Sequence, residues 1–476
     1  GESTLESIRK FCLHLEIDEK EFMKFTDASY KLSIKFTNFY EKDSGSFYYP
    51  FGQPYIENSN QGVRDWFFIK ALYPDIPNTD FVDSYFPASA LWNANKFTKD
   101  ATGFDNWNSN LNYAYHFDAT KFGVWLRDHY CLPRGVNHII GDVVVNSINN
   151  DGIVSLKVGD QDHKADLYID CTGFKSLLLD KTLKEPFDSY SNLLPNNKAW
   201  ATRLPYKNKE QELEPYTNCT AIENGWVWNI PLWSRIGTGY VYSDKFCSDE
   251  EALDQFKRYL KTTKQRTDQD IKELEFKNIK MRVGLHSRTF VKNVVAIGLS
   301  AGFIEPLESN GLFTVTEFLW KLAKTLERGK VSQWDKDVYN IATQQLFEDF
   351  AEFVALHYAL TNRTDTEYWR ECFNKEYFKN VPNQNFVKHG ELKGIAYNKM
   401  FLSQPAHVGN TYIATGMNYN LLDSMSQKLY QFEETDHELY FSKYIEQLQN
   451  NKLKWKQQAL TAPTLFQYIE SNIQSD

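Results

Sequence analysis

Two short apolar segments, each followed by a glycine, constrain the fold of this chain most. The segment ADLYID precedes Thr172-Gly173 after one cysteine, and the segment 294–297 precedes Gly298. Such runs are typical of buried β-strands, and a glycine at a strand end lets a ligand approach the backbone because it has no Cβ. A long apolar-periodic stretch follows the second segment, as in the strand and helix units of α/β folds. The pattern predicts an α/β fold with a ligand near its strand ends.

The spacing of apolar residues predicts the other elements. Residues 4–25 have the spacing of two helices, whereas residues 30–37 alternate like a half-buried strand with Lys31 and Lys35 on its polar face. Residues 138–158 predict a hairpin that leads into the strand ending at Asp170. A helix is predicted from Asn310 to Gly329, and the pattern stays mainly helical beyond it. We therefore place a boundary at residue 330.

Composition argues against several classes of function. The 476 residues include 53 Lys and Arg against 62 Asp and Glu, and no basic stripe accompanies the net charge of −9, which argues against a nucleic-acid partner. No apolar run approaches the ~18 residues of a membrane helix. Six cysteines without a CxxC spacing suggest neither a metal site nor disulfides, and favour a cytoplasmic protein. Aromatic residues make up 16%, enough to line a large apolar cavity.

The segment FIEPLESNG, residues 303–311, is the most informative candidate loop. It precedes the predicted helix, whose first amides carry positive potential and could bind a halide, a phosphate or a flavin edge near Asn310 and Gly311. An ordinary helix cap with nothing bound explains the same spacing. Glu308 is either a carboxylate that stabilises the helix dipole or a buried catalytic one.

Lys31 and the pair Trp226 and Trp228 also have two interpretations. From its strand position alone, Lys31 is expected to be solvated, as lysines on polar strand faces usually are. The two tryptophans lie on the same face of the predicted strand GWVWNIP. They either fill a core or separate a reactive cavity from water. The residues by themselves indicate an α/β enzyme that binds a ligand.

A set of motifs spread over nearly the whole chain resembles the flavin-dependent tryptophan halogenase family. The resemblance rests on GWVWNIP, DCTG and GLSAGFIEPLESNG, together with YKLSIKF, FYYPFG, YHFDA and HYALTNRTDTEYW. It implies a mixed α/β fold in which residues 1–330 form a Rossmann-like FAD-binding core related to para-hydroxybenzoate hydroxylase. Residues 331–476 would then form a helical C-terminal subdomain that covers the substrate site.

The resemblance also implies the chemistry. Reduced FAD, O2 and halide would yield hypohalous acid, which reaches Lys31 and halogenates an electron-rich aromatic ring. The lysine would either hydrogen-bond hypohalous acid as an ammonium or form a haloamine as a neutral amine. Glu308 would polarise the halogen donor or deprotonate the ring intermediate. A separate NAD(P)H-dependent flavin reductase would supply the reduced FAD.

Carrying the family's motifs over assigns further residues. The halide is expected at Asn310 and Gly311, and the substrate cavity at Tyr49, Phe51, Trp226 and Trp228, the two tryptophans keeping the substrate from the flavin. FAD contacts are expected at several separate positions: Gly1, Glu2, Val143, Asp170, Gly173, Gly298, Leu299 and Leu312.

Two departures from the family bear on activity and substrate. The GxGxxG segment that holds the FAD pyrophosphate is absent, so we expect roughly 40 residues, one βαβ unit, to be missing from the chain as given. The segment QPAHVGNTY, residues 404–412, lacks the aromatic pair of tryptophan-specific members. We therefore expect free indoles or other electron-rich aromatics rather than L-tryptophan. The alternatives are a flavin monooxygenase of the same fold, or a disabled relative that binds aromatic ligands.

Overall fold

The computed structural model describes most of the chain and places it in a mixed α/β fold. The described residues are 2–56, 66, 69–70, 72–100, 104–105, 107, 112–374, 408–418 and 434–475. Among the helices within these ranges, none combines the length and the apolar character that crossing a bilayer requires.

The strands are numbered along the chain. They are β1 Ser29–Lys31, β2 Ser33–Thr37, β3 Ser46–Pro50, β4 Ala114–His116, β5 Val143–Asn149, β6 Gly152–Val158, β7 Gln161–His163, β8 Tyr168–Asp170, β9 Phe187–Ser189, β10 Lys198–Leu204, β11 Tyr216–Ile222, β12 Gly225–Pro231, β13 Ile236–Tyr242, β14 Lys277–Lys280, β15 Gly284–His286, β16 Phe290–Val291, β17 Val294–Ala296 and β18 Gly302–Phe303.

The α-helices are numbered in the same way. They are α1 Glu6–His14, α2 Glu19–Phe25, α3 Asp80–Tyr85, α4 Ser89–Asn93, α5 Ala119–Trp125, α6 Lys209–Glu212, α7 Asp249–Thr262, α8 Asp268–Lys272, α9 Gly311–Leu326, α10 Gln333–Ala359, α11 Glu367–Asn374, α12 Val408–Gly416, α13 Glu434–Leu460 and α14 Leu465–Ile469. Capping boxes begin four of them, α7, α8, α10 and α14.

A seven-stranded sheet forms the largest layer. Its order is β14-β10-β13-β12-β11-β2-β3, antiparallel except for the parallel pair β11 and β2. Smaller sheets have the orders β1-β4, β18-β15-β9, β16-β17-β8 and β5-β6-β7. In the third of these, β17 pairs in parallel with β8, so the two strand ends singled out in the sequence lie side by side.

The predicted strand over residues 30–37 is interrupted at Leu32. The part before it, β1, pairs with β4, whereas the part after it, β2, joins the seven-stranded sheet. Lys31 ends β1 and is fully buried, so the expectation that it is solvated is wrong. Only Lys35 remains partly exposed, because the chain changes sheets between the two lysines.

Several predicted elements are confirmed. Helices α1 and α2 lie within residues 4–25, and β5 and β6 form the hairpin, where the side chain of Asn149 accepts hydrogen bonds from Asp151 and Gly152. Helix α9 begins at Gly311, and the turn after it ends at Gly329 with a φ of 80°. After α9 the described elements are all helical.

Two apolar cores meet beside Lys31. One contains Trp226 of β12 and Phe347 of α10, and its members near the lysine include Ala114 and Phe51. The other contains Tyr30 and Leu32, the two neighbours of Lys31 in the chain, and extends to α13. Lys31 therefore places its amine where two apolar cores adjoin.

Candidate active site

The Lys31 amine is held by two hydrogen-bond acceptors. Its Nζ donates to the carbonyl of Thr4 over 2.8 Å and to Oγ of Ser309 over 2.9 Å. The same nitrogen lies 5.0 Å from the centre of the Phe51 ring. A neutral amine has two hydrogens and one lone pair, so these two acceptors leave the lone pair free to react.

Burial makes the neutral amine accessible near neutral pH. Desolvation lowers the pKa of Lys31 from 10.5 to about 7, and the nearby Glu308, Cys219 and Glu6 oppose part of that shift. A lysine of this kind can act as a nucleophile, which an exposed ammonium cannot.

The loop before α9 has an unusual backbone. Ser309 has a φ of 60°, in the left-handed region that side chains with a Cβ seldom adopt. This turn brings its hydroxyl to Lys31 and places Glu308 next to it in the chain. Asn310 stands at the N-cap position but makes no side-chain cap, and its buried Oδ1 has no hydrogen-bond partner among the described residues.

Glu308 is paired with a histidine from α10. Its Oε1 lies 2.8 Å from Nε2 of His357, both side chains are almost completely buried, and neither atom has another partner in the described ranges. The carbonyl of Val354 lies 3.1 Å from Nδ1 of His357, so Nδ1 carries a hydrogen and Nε2 faces the carboxyl group. Burial raises the pKa of Glu308.

Glu305, three residues earlier, occupies a different environment. Its Oε2 accepts hydrogen bonds from Asn196 over 2.8 Å, Tyr358 over 2.7 Å and Trp226 Nε1 over 3.0 Å. The carboxyl group is fully buried, and burial raises its pKa. This cluster fixes the indole of Trp226 against the loop that carries Glu308.

A cavity of about 770 Å³ lies on the other side of this loop. Its lining contains seven of the predicted site residues: Glu2, Trp226, Trp228, Gly298, Leu299, Asn310 and Gly311. Ser3, Thr217, Cys219 and Ser309 also line it. The volume is that of a pocket for a cofactor-sized ligand.

The residues of this cavity fit a flavin ring. Most of the wall is apolar. Asn310, whose buried Oδ1 has no partner among the described residues, lines the cavity where α9 begins and where amides favour an anion or a polar ring edge. Gly239 leaves room for the Trp228 ring, because a Cβ there would lie 2.3 Å from it. Glu2 at the rim is tied to Arg235, which also binds Asp118.

The other predicted FAD residues lie outside the lining of this cavity. Val143 is 39% exposed on the β5 hairpin, and the Asp170 carboxylate accepts hydrogen bonds from Thr172, Leu178 and Leu179. Gly173 has a φ of 69°, and a Cβ there would meet no atom within 4 Å. Leu312 packs against the core that contains Tyr30. Gly1 lies outside the described residues.

The predicted substrate residues Tyr49 and Phe51 lie on the Lys31 side of the loop. Their ring centres are 6.4 Å apart, and Tyr49 lies 5.6 Å from Tyr412 of α12. The side chain of Glu6 interacts electrostatically with both Lys31 and Tyr49. The segment 404–407, used above to argue substrate choice, lies outside the described residues.

Sequence reasoning missed several partners of the site. Ser3 and Thr4 belong to the first four residues of the sequence, GEST, and His357 begins the motif HYALTNRTDTEYW. Neither segment indicates by itself which side chains these residues contact. Glu305 precedes a proline in the loop that the sequence had already singled out. Its position three residues before Glu308 could have indicated that both carboxyl groups belong to the site.

Comparisons with known proteins give one consistent result. The tryptophan halogenase family model matches residues 1–394. Tryptophan 6-halogenase SttH of Streptomyces toxytricini is 34% identical over 391 residues, which cover 78% of this chain and 72% of that protein.

Solved structures agree with this match. The apo structure of VirX1 superposes with a TM-score of 0.89 at 34% identity, covering all of this chain and 92% of that one. Tar14, a tryptophan C-6 flavin-dependent chlorinase from taromycin biosynthesis, gives a TM-score of 0.81 at 28% identity, over 100% of this chain and 92% of that one.

Proposed function

The chain belongs to the tryptophan halogenase family and is a flavin-dependent halogenase, and we propose that Lys31 passes the halogen to an electron-rich aromatic substrate. The observation that carries this proposal is the fully buried Lys31 amine. Among the described residues it donates to two acceptors, which leaves the lone pair of the neutral amine available near the Phe51 ring.

The cavity and Lys31 divide the reaction between two places. Reduced FAD, when bound in the cavity, supplies with O2 and halide the hypohalous acid that the amine consumes. Asn310 and Gly311 at the start of α9 would hold the halide on the cavity side. Trp226 and Trp228, with ring centres 6.2 Å apart, form the wall that excludes the aromatic substrate from the cavity.

Lys31 acts as a nucleophile in its neutral form. Its lone pair attacks the halogen of hypohalous acid, the oxygen–halogen bond breaks, and the hydroxide leaves as water with one amine hydrogen. The product is a haloamine whose position is fixed by Thr4 and Ser309. Holding the electrophilic halogen in one place beside the substrate converts diffusion into a positioned transfer.

Glu308 accepts the proton that the aromatic ring must lose. Its carboxylate is buried next to Lys31, where it also stabilises the cationic ring intermediate electrostatically. Once Glu308 carries the ring proton, Nε2 of His357, 2.8 Å away, can accept a hydrogen bond from the acid. Glu308 belongs to the loop before α9 and His357 belongs to α10, and the fold brings these two side chains into contact.

The surroundings of Lys31 suit a small aromatic substrate. Tyr49, Phe51 and Tyr412 give it aromatic walls, which favour an indole-like ring. We expect indole and other electron-rich aromatics to be substrates. A separate NAD(P)H-dependent reductase would supply the reduced FAD in the cytoplasm, and the choice among chloride, bromide and iodide would follow from the halide contacts at Asn310 and Gly311.

Product analysis tests this proposal directly. Purified protein is given FAD, a flavin reductase, NADH, O2, bromide and indole, and the products are identified by mass spectrometry. We expect brominated indole from the wild type and a loss of at least ~100-fold in Lys31→Ala.

Lys35→Ala is the matched control. This lysine lies four positions away on β2, beside the rings of Tyr48 and Tyr216, and its replacement should leave bromination within about twofold of the wild type. Hydroxylated indole in place of the bromide, or equal loss in both variants, would contradict the proposal.

A further inference from the structure

A chain of buried hydroxyl groups connects Lys31 to His116. Lys31 Nζ lies 2.9 Å from Ser309 Oγ, which is 2.8 Å from Ser3 Oγ. Ser3 Oγ is 2.6 Å from Thr217 Oγ1, which is 2.9 Å from Nε2 of His116. All five side chains are more than nine-tenths buried. The five residues come from five separate segments, so only the fold brings them into one line.

The far end of the chain sets the direction of its hydrogens. Ser29 Oγ donates to the carbonyl of Pro231 over 2.5 Å, since a carbonyl can only accept. Its lone pair therefore faces Nδ1 of His116, 3.4 Å away, and Nδ1 carries the hydrogen of the ring. This leaves a lone pair on Nε2, which accepts from Thr217.

The donor and the acceptor of each hydrogen bond between His116 and Lys31 follow in the same way. If Thr217 donates to His116, its oxygen accepts from Ser3, and Ser3 accepts from Ser309. Ser309 in turn accepts from Lys31, which has only hydrogens to offer when it is charged. All four hydrogens thus point from the amine to the histidine, as a concerted proton transfer requires.

We propose that this hydroxyl chain, hereafter the relay, carries a proton from Lys31 to His116 and returns it when the halogen leaves the nitrogen. The inference rests on the proposed function, because it supplies the protons that a haloamine cycle needs. Ser309, Ser3 and Thr217 each accept one proton and give up another, and they act as positioning residues for the amine.

The proton balance of the cycle closes. Lys31 loses one proton to the relay, and the neutral amine takes the halogen from hypohalous acid with release of water. When the ring attacks, a carbon–halogen bond forms, the nitrogen keeps the electron pair of the broken bond, and the stored proton returns to it from His116. The ring proton goes to Glu308 and restores the ammonium. The sum is hypohalous acid plus arene giving haloarene plus water.

The charges around Lys31 and His116 favour a proton that stays on His116 only briefly. Glu308 and Glu6 are the carboxylates that act on Lys31, and Cys219 lies beside it. Burial and the nearby Lys31 lower the pKa of His116 well below 6.5. A proton on His116 is therefore returned readily once the nitrogen needs it.

Thr217 offers the sharpest test, because Thr217→Val keeps the shape and removes the hydroxyl. Substrate is bound first, and a single turnover is then started with a stoichiometric amount of reduced FAD, so that one halogen transfer is followed in each experiment. We expect this step to be slowed about 100-fold in Thr217→Val and in Ser3→Ala, the low end of what positioned proton transfer contributes. Thr217→Ser should restore the rate to within about threefold.

Thr220→Val is the matched control. Thr220 lies on the same strand, and its hydroxyl bonds to Asn218 and Tyr259, away from the relay. Its loss should leave the transfer rate unchanged. Thermal unfolding of each variant confirms that the chain is folded, and Ser3→Ala provides the test if Thr217→Val is not.

Rates in mixtures of H2O and D2O separate a relay from a structural role. Several protons moving together give a bowed dependence on the deuterium fraction in the wild type, and Thr217→Val should give a straight line. A straight line in the wild type, or a Thr217→Val rate within about twofold of it, would overturn the relay alone. A wild type that forms no halogenated product would overturn the proposed function instead.

Discussion

Glu305 and Glu308 lie three residues apart in one loop, and both are almost completely buried, yet their surroundings differ. Three donors converge on Glu305 Oε2 from Asn196, Tyr358 and Trp226. Within the described ranges, the Glu308 carboxyl group pairs with His357 and lies near the charge of Lys31 and the side chains of Tyr49 and Cys219. Burial raises the pKa of both carboxyl groups, so burial alone does not separate a structural acid from a reactive one. The number of hydrogen bonds that each carboxyl group accepts separates the two.

This difference assigns separate tasks to the two ends of the loop. A carboxylate that holds three buried donors stabilises the fold, because each donor would otherwise be left unsatisfied in the core. A carboxylate with one partner and free lone pairs can accept a further proton. Glu305 thus anchors the loop, and Glu308 is available to the substrate.

The largest expected effect separates the two carboxylates by activity. Glu308→Gln removes the proton acceptor and should lower the halogenation rate by roughly 1000-fold, within the range for a general base. Glu305→Gln keeps an oxygen for the three donors and should stay within about threefold of the wild type. Single-turnover product formation measures both. Similar losses of activity in the two variants would show that Glu305 and Glu308 do not have separate roles.

Stability should show the opposite order. Glu305→Ala leaves the donors of Trp226, Tyr358 and Asn196 buried without an acceptor, which we expect to lower the free energy of unfolding by about 3 kcal/mol. Glu308→Ala strands only His357 and should cost about 1 kcal/mol. Urea unfolding followed by circular dichroism compares them. A larger loss in Glu308→Ala would argue against Glu305 as the anchor.

The smallest expected effect is a shift with pH. The reactive form of Lys31 is the neutral amine and its pKa is about 7, so the rate should rise about tenfold between pH 6 and pH 8. Glu308 raises the pKa of Lys31, and its removal in Glu308→Gln should move the midpoint of the residual activity to lower pH. A midpoint that stays fixed would show that Lys31 does not sense this carboxylate.

The same lowered pKa has a consequence for stability. Since the pKa of Lys31 falls from 10.5 to about 7 on folding, the unfolded chain binds more protons between these values. Burial of Lys31 therefore destabilises the fold by a penalty that is complete below this window and falls as pH rises through it.

The two lysines of the strand over residues 30–37 show how far periodicity reaches. Alternation placed Lys31 and Lys35 on one polar face, and both do lie in strands. Alternation records only which side a residue faces relative to its neighbours. It does not record that the chain changes sheets at Leu32, where β1 leaves for β4 and Lys31 enters the space between two cores.

The motif resemblance predicted more of the site than periodicity did, but it did not predict which side chains are in contact. It identified Lys31, Glu308, Asn310 and Trp226 as residues of one site, and the structure brings all four to the loop before α9. It gave no indication that His357 would meet Glu308, because that pair joins a residue of a loop to a residue in the last turn of a long helix.

The sequence by itself determined the α/β class, the family, the strand ends at Gly173 and Gly298, and the start of α9. These features depend on local spacing and on short motifs. Only the tertiary structure decided that the Lys31 amine is buried, and that Ser309 and Ser3 continue a line of hydrogen bonds from it. Desolvation and hydrogen-bond direction depend on neighbours more than 200 residues away in the chain, such as Thr217 from Ser3, and no local pattern encodes them.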